Sequence, residues 1–180
     1  MTTQTWDIDP AHSSVEFRVR NMGIATVRGR FRQFSGAVEV DDAGTLQHIA
    51  AIIDAGSIDT GVDPRDTHLR SPDFLDVAHF PTIEFHSTAI KSEGDGTQRV
   101  VGDLSMHGVT RAVEFIVEAA PPITDPWGNR RGAAAATGTL SRKDWGLTWN
   151  QALEVGGVMV ADEVRFTLEV EVVAAEPVMA

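Results

Sequence analysis

The sequence contains no cysteine, which excludes disulfides, thiolate metal sites and a cysteine nucleophile. It also lacks any run of the roughly 18 apolar residues that a membrane-spanning helix needs. The N-terminus, MTTQTWDIDP, has neither a positive n-region nor an apolar h-region. As written, the chain is expected to be cytoplasmic and without stable membrane insertion. Basic residues are scarce, 15 against 26 acidic ones, for a net charge of -11. That charge repels polyanions, and with no clustered Lys/Arg or polybasic segment read to offset it, nucleic acid and anionic membrane surfaces are both expected to be disfavoured partners.

The 180 residues suffice for one domain with a full hydrophobic core, and no stretch reads as a linker, so a single domain over 1–180 is expected. What the chain has in abundance is period-two alternation. In EVRFTLEVEVV, Val164, Phe166, Leu168, Val170 and Val172 alternate with charged residues and Thr167, the pattern of an antiparallel strand with one wet face. SSVEFRVR and TIEFHSTAI alternate in the same way. The segments KSEGDGTQ, MHGVTR and DDAGT supply the glycine and aspartate of hairpin turns. With FSGAVEV, HIAAIIDAGSI, RVVGDLSM, AVEFIVEAA and RGAAAATGTLSR, about eight strands follow, enough for a meander that closes into a barrel. The expected fold is all-β, with a short helical insertion between strands three and four. In that insertion Ser71, Pro72 and Asp73 read as the start of a helix over 72–76, with room for a turn of helix at 65–70. ITDPWGNRRG reads as a second irregular region, before strand seven.

On the faces that would point inward, bulky residues mix with small ones: Val100, Gly102, Leu104 and Met106, then Val113, Phe115, Val117 and Ala119. Ser87 and Ala89 would continue the Ile83 and Phe85 face, and strand seven offers either Ala133, Ala135 and Thr137 or Ala134, Ala136 and Gly138. Small inward residues point to unfilled space that would hold one mostly apolar ligand. They are equally compatible with a helix or loop packing closely against the sheet. The six histidines show no metal-binding spacing. Ser13, Ser71 and Ser105 lack the glycine-flanked elbow of a nucleophile. Arg65 and Asp66 read better as braces for the insertion than as catalysts. Trp145 and Trp149, near Leu147, would cover a barrel mouth or plug one end of the core.

Four blocks in order carry a resemblance over nearly the whole chain: WDIDPAHSSVEFRVRNMGIATVRGRFRQFSG, SIDTGVDPRDTHLRSPDFLDVAHFPTIEF, VVGDLSMHGVTRAVEF and LSRKDWGL. The sequence resembles the YceI-like family of lipocalin-like polyisoprenoid-binding proteins. The resemblance implies an extended eight-stranded antiparallel lipocalin-like barrel with an apolar tunnel for an isoprenoid or similar amphiphilic lipid. It further implies a homodimer, with no established catalytic residues, and no metal or cofactor is expected. Two departures stand out: Asn21 occupies a position where the family often has His, and many relatives are exported whereas this chain shows no signal peptide.

The function expected is non-enzymatic binding, transport or storage of a long-chain ligand, such as a polyprenyl phosphate, a quinone or a fatty-acid derivative. Phe17, Val19, Ile83, Phe85, Leu104, Met106, Phe115, Val117, Phe166 and Leu168 would line the site, with Phe74, Leu75 and Trp145 near an opening. The rivals are a lipid-directed hydrolase using His68 and Asp66, and a stress-related partner-binding module without a working cavity.

Overall fold

The alternating segments fold into one antiparallel sheet that closes on itself. The computed structural model describes residues 2–175, within which the strands are β1 (Thr3–Ile8), β2 (Ser14–Asn21), β3 (Ala25–Phe31), β4 (Phe34–Asp41), β5 (Leu46–Asp54), β6 (Ile58–Asp59), β7 (Thr82–Ser92), β8 (Thr97–Met106), β9 (Val109–Thr124), β10 (Arg130–Ser141) and β11 (Val160–Ala174). One helix, α1 (Asp63–Arg70), joins β6 to β7.

Three of the chain's long strands are kinked. A 3-10 turn at Pro10–His12 breaks β1 from β2, and another at Ala55–Ser57 breaks β5 from β6. Proline cannot donate to a ladder, so the first break is chemically imposed. Residues Arg32 and Gln33 separate β3 from β4. With each broken pair taken as one strand, the ring has eight members, as the hairpin pattern implies. β11 holds both halves of the first strand, Phe166 opposite Phe17 on β2 and Ala174 opposite Trp6 on β1. Trp6 also lies opposite Val38 on β4, and this contact closes the barrel. Among the described residues, β3 keeps an outer edge that β6 pairs only at Arg30 and Phe31.

The insertion falls between strands three and four of the ring, as expected, but the helix covers the possible turn at 65–70 and not 72–76. Asp63 and Asp66 occupy its first turn, with Pro64 beside Asp63, an arrangement suited to a helix N-terminus. Pro72 then disfavours helical backbone at Ser71, which is extended (φ -75, ψ 169). Ser71 does accept the Asp73 N–H (3.3 Å), yet what it starts is a run of turns: the amides of Phe74 and Asp76 both donate to the Ser71 carbonyl at 3.0 Å. ITDPWGNRRG is irregular only over 125–129. β9 and β10 take half of it, and the turn between them is clamped by the Asp125 carboxylate, which accepts the N–H groups of Trp127 and Asn129 at 2.9 Å. The third difference is a β-bulge between Ser87 and Ala89. The extra residue reverses the alternation, so that Ala89 is exposed and Ile90 turns inward instead.

Candidate functional site

The barrel encloses a cavity of about 1080 Å³ whose walls are predominantly apolar side chains. That volume lies at the top of the range typical of pockets for small organic ligands. Around its waist runs a belt of phenylalanines: Phe85 and Phe115 are 5.4 Å apart between ring centroids, Phe115 and Phe166 5.9 Å, Phe17 and Phe31 5.6 Å. These separations are those of favourable tilted and edge-on aromatic pairs.

Glycine shapes this belt. A Cβ on Gly29 would lie 2.3 Å from Phe17 Cζ, one on Gly102 2.4 Å from Phe85 Cζ, and one on Gly138 2.4 Å from Phe166 Cζ. Each ring therefore folds across a neighbouring strand onto a glycine, and part of the emptiness that small residues suggest is filled in this way. The void that remains passes Ala134 and Ala136. Strand seven thus presents Ala134, Ala136 and Gly138 inward, while Ala133, Ala135 and Thr137 are exposed.

Phe17, Val19, Phe74, Leu75, Ile83, Phe85, Leu104, Met106, Phe115, Val117, Phe166 and Leu168 all line the cavity. Trp145 does not. Its indole is 2 % exposed and donates to the Leu104 carbonyl (2.9 Å), so it plugs the core and is not part of the cavity wall. At the helix end it is Trp149 that lines the cavity, packed with Phe74 (5.3 Å) and His68 (4.7 Å). Sequence reasoning also missed Trp6, Val27, Phe31, Phe34 and Val38, which join the lining from β1, β3 and β4. The alternation Val27, Gly29, Phe31 was a legible signal for β3.

The end of the barrel that carries α1, the helix end, is held by arginines bonded to backbone carbonyls. Arg65 donates to Thr60 Oγ1 (2.7 Å) and to the Thr60 carbonyl (2.9 Å), and Arg70 donates to the carbonyls of Gly56 (2.8 Å) and Ile58 (2.9 Å). Asp66, 4 % exposed, accepts the amide of Thr60 at 2.9 Å and its hydroxyl. Arg142, 3 % exposed and unmarked in the sequence, donates to the carbonyls of Leu147 (2.6 Å), Trp149 (2.9 Å), Ala161 (2.9 Å) and Val160 (3.2 Å). Burial pushes its guanidinium pKa down, although an arginine starts far above neutrality.

Neither polar pairing expected of a hydrolase forms. Asp66 is committed to Thr60, and His68 faces Asp73 instead (Nε2 to Oδ2 2.9 Å). Ser13 and Ser71 donate to the carbonyls of Glu171 and His68, and Ser105 pairs with Thr110. Ser87 Oγ does lie 3.0 Å from His48 Nδ1, at the β7 bulge, where it also accepts the Ile49 N–H. No carboxylate hydrogen-bonds to His48 among the described residues.

Outside the barrel, Asp9, His12 and Glu171 converge with ligand atoms within 4.8 Å of one another, a grouping that spacing did not reveal. The Arg131 guanidinium already answers their charge, 3.0 Å from both Asp9 and Glu171 and 2.7 Å from Asp125. Its charge and the turn amides hold the Asp125 carboxyl down at about 2.

A closed eight-stranded antiparallel barrel around an apolar cavity, capped by one short helix, places the molecule among lipocalin-like proteins. The YceI-like domain matches residues 6–172, and the chain belongs to that family. It is 38% identical over 174 residues to the UPF0312 protein SAB2563 of Staphylococcus aureus, covering 95% of this chain and 97% of that one. Among solved structures it resembles BcnA of Burkholderia cenocepacia (TM-score 0.79, 24% identity, 91% of this chain and 98% of the other). It also resembles a polyisoprenoid-binding domain from Saccharophagus degradans (TM-score 0.68, 16% identity, 96% and 99%).

Proposed function

We propose that this protein binds a long, mainly apolar lipid of the isoprenoid type inside its barrel and carries or stores it without chemical change. The observation that carries the reading is the cavity: about 1080 Å³, belted by phenylalanine and reaching from Trp149 at the helix end to Leu46 at the other. Each CH₂ moved from water into such walls contributes about 0.8 kcal/mol, so affinity follows ligand length and width more than head group. The name of the Saccharophagus degradans neighbour supports the same ligand class. Kinship with the YceI-like family further suggests a homodimer, which light scattering on the eluting protein would establish.

Mass spectrometry of an organic extract from protein purified without detergent is expected to give a stoichiometric lipid. The variant Phe115→Asp, which sets a carboxylate in the belt, is expected to lose it. Folded wild-type protein that neither retains a lipid nor takes up a fluorescent isoprenoid probe would refute the reading.

A further inference from the structure

The negative net charge conceals a local reversal. Residues 18–32 hold five of the chain's 15 basic residues and no acidic one. The hairpin formed by β2 and β3 puts Arg18, Arg20, Arg28 and Arg30 on its outer face, with Arg32 exposed just beyond. Arg18 lies directly opposite Arg28 on one side and Arg165 of β11 on the other. Like charges opposite one another destabilise a sheet, so this row is not there for the stability of the barrel.

The carboxylates nearby are few, and two of them are already engaged. Asp59 takes Arg32 (2.5 Å) and Arg30 (4.0 Å), and Glu163 takes Arg165 (2.9 Å). Glu16 lies opposite Arg30 in the ladder. Among the described residues, Arg18, Arg20 and Arg28 have no carboxylate at ion-pair distance.

At the tip of the same hairpin the chain turns through Met22, Gly23 and Ile24. Met22 is 44 % exposed and Ile24 80 %. Met22 sits in left-handed backbone (φ 53), where asparagine or glycine would be easier, so an apolar side chain is kept at the tip against local preference. The Met22 amide donates to the Met159 carbonyl (2.7 Å). That contact fixes the tip against the segment that continues from the exposed Val155 and Val158 (95 % and 51 %) to Met159 on the cavity wall.

We infer that the β2–β3 hairpin is a membrane-contact element that seats the helix end of the barrel on bilayers containing anionic phospholipid. The apolar tip enters the interface while the arginines behind it meet head-group phosphates, the two-part attraction that holds peripheral proteins on membranes. An apolar tip distinguishes this surface from one built only for a soluble polyanion. It also sets the cavity beside the phase in which long-chain lipids reside.

Co-sedimentation with phosphatidylcholine vesicles, with and without phosphatidylglycerol, tests the inference. Wild-type protein is expected to sediment with the phosphatidylglycerol vesicles and to be released by salt. The triple variant Arg18→Gln, Arg20→Gln, Arg28→Gln should weaken binding on the order of 100-fold, at about 1 kcal/mol per basic residue near the surface. Ile24→Asn should weaken it about tenfold through lost apolar burial. All four positions are exposed, and circular dichroism would verify that the fold is unchanged. Wild-type protein that shows no preference for phosphatidylglycerol, or variants that bind as wild type does, would overturn the inference. Arginine-dependent binding to heparin without vesicle binding would overturn it too, marking the patch as a site for a soluble polyanion. Because sedimentation does not read lipid content, its failure is distinguishable from failure of the lipid-carrier reading.

Discussion

The two ends of the barrel use the same cation in opposite ways. At the helix end, Arg70 and Arg142 spend their guanidinium groups on backbone carbonyls, and Asp66 is buried against Thr60. At the other end, beside the β9–β10 hairpin, Arg131 is ringed by the carboxylates of Asp9, Asp125 and Glu171. The first arrangement holds irregular chain in place over an apolar cavity, where unpaired carbonyls are costly and each guanidinium satisfies several at once. The second clamps regular strands at the surface, where water already serves the backbone and only charge remains to be balanced. The helix end should therefore fail through lost packing and unsatisfied carbonyls, and the hairpin end through titration.

The largest effect expected is from Trp145→Ala, which empties a fully buried plug at the helix end and should cost about 3–5 kcal/mol in urea denaturation. Trp149→Ala, on the cavity wall, should cost clearly less, and equal losses would mean that both tryptophans are core. Next, Arg142→Met keeps the bulk but takes the guanidinium from the carbonyls of Leu147, Trp149 and Ala161, while Val160 keeps the Asn150 amide (2.7 Å), for a loss of about 3 kcal/mol. A melting curve like that of wild type would show that water replaces the guanidinium there. Asp66→Ala should cost about 2 kcal/mol by stranding the Thr60 amide and hydroxyl, and Asp66→Asn should restore part of that loss.

The smallest effect belongs to the hairpin end and depends on pH. Arg131 is the main cause holding Asp125 at about 2, against an ordinary 3.8. A lowered carboxyl pKa contributes stability that is complete above the ordinary value and lost as pH falls from about 4 to about 2. Asp125→Asn should flatten the acid limb of the melting temperature in that window. His12 works in the other direction. Asp9 raises its pKa above 6.5, so its contribution is present below that value and fades as pH rises through the raised one. His12→Gln should narrow the gap between melting temperatures at mildly acidic and mildly alkaline pH. Neither substitution should alter the helix end.

Much of this barrel was legible residue by residue. The alternation in EVRFTLEVEVV and the glycines of KSEGDGTQ and MHGVTR act over a few positions, and β11, the β7–β8 turn and the β8–β9 turn fall where they indicate. The helix was misplaced because Ser71-Pro72-Asp73 has the form of a helix start, while Pro72 also serves to end the helix before it. The Ser87 bulge and the left-handed tip at Met22 carry no strong local mark. The arginine row was legible, since all five arginines fall within residues 18–32, and only a charge summed over the whole chain hid it.

By itself, the sequence determined which segments are strands, where most hairpins turn and which side of most strands is apolar, because period-two patterning and turn chemistry are local. Only the tertiary structure decided how the ring closes through three kinked strands and which small residues face a void. Gly102 and Gly138 receive phenylalanine rings from neighbouring strands, whereas Ala134 and Ala136 border open space. That difference depends on side chains brought alongside by pairing between strands, and no single strand encodes it.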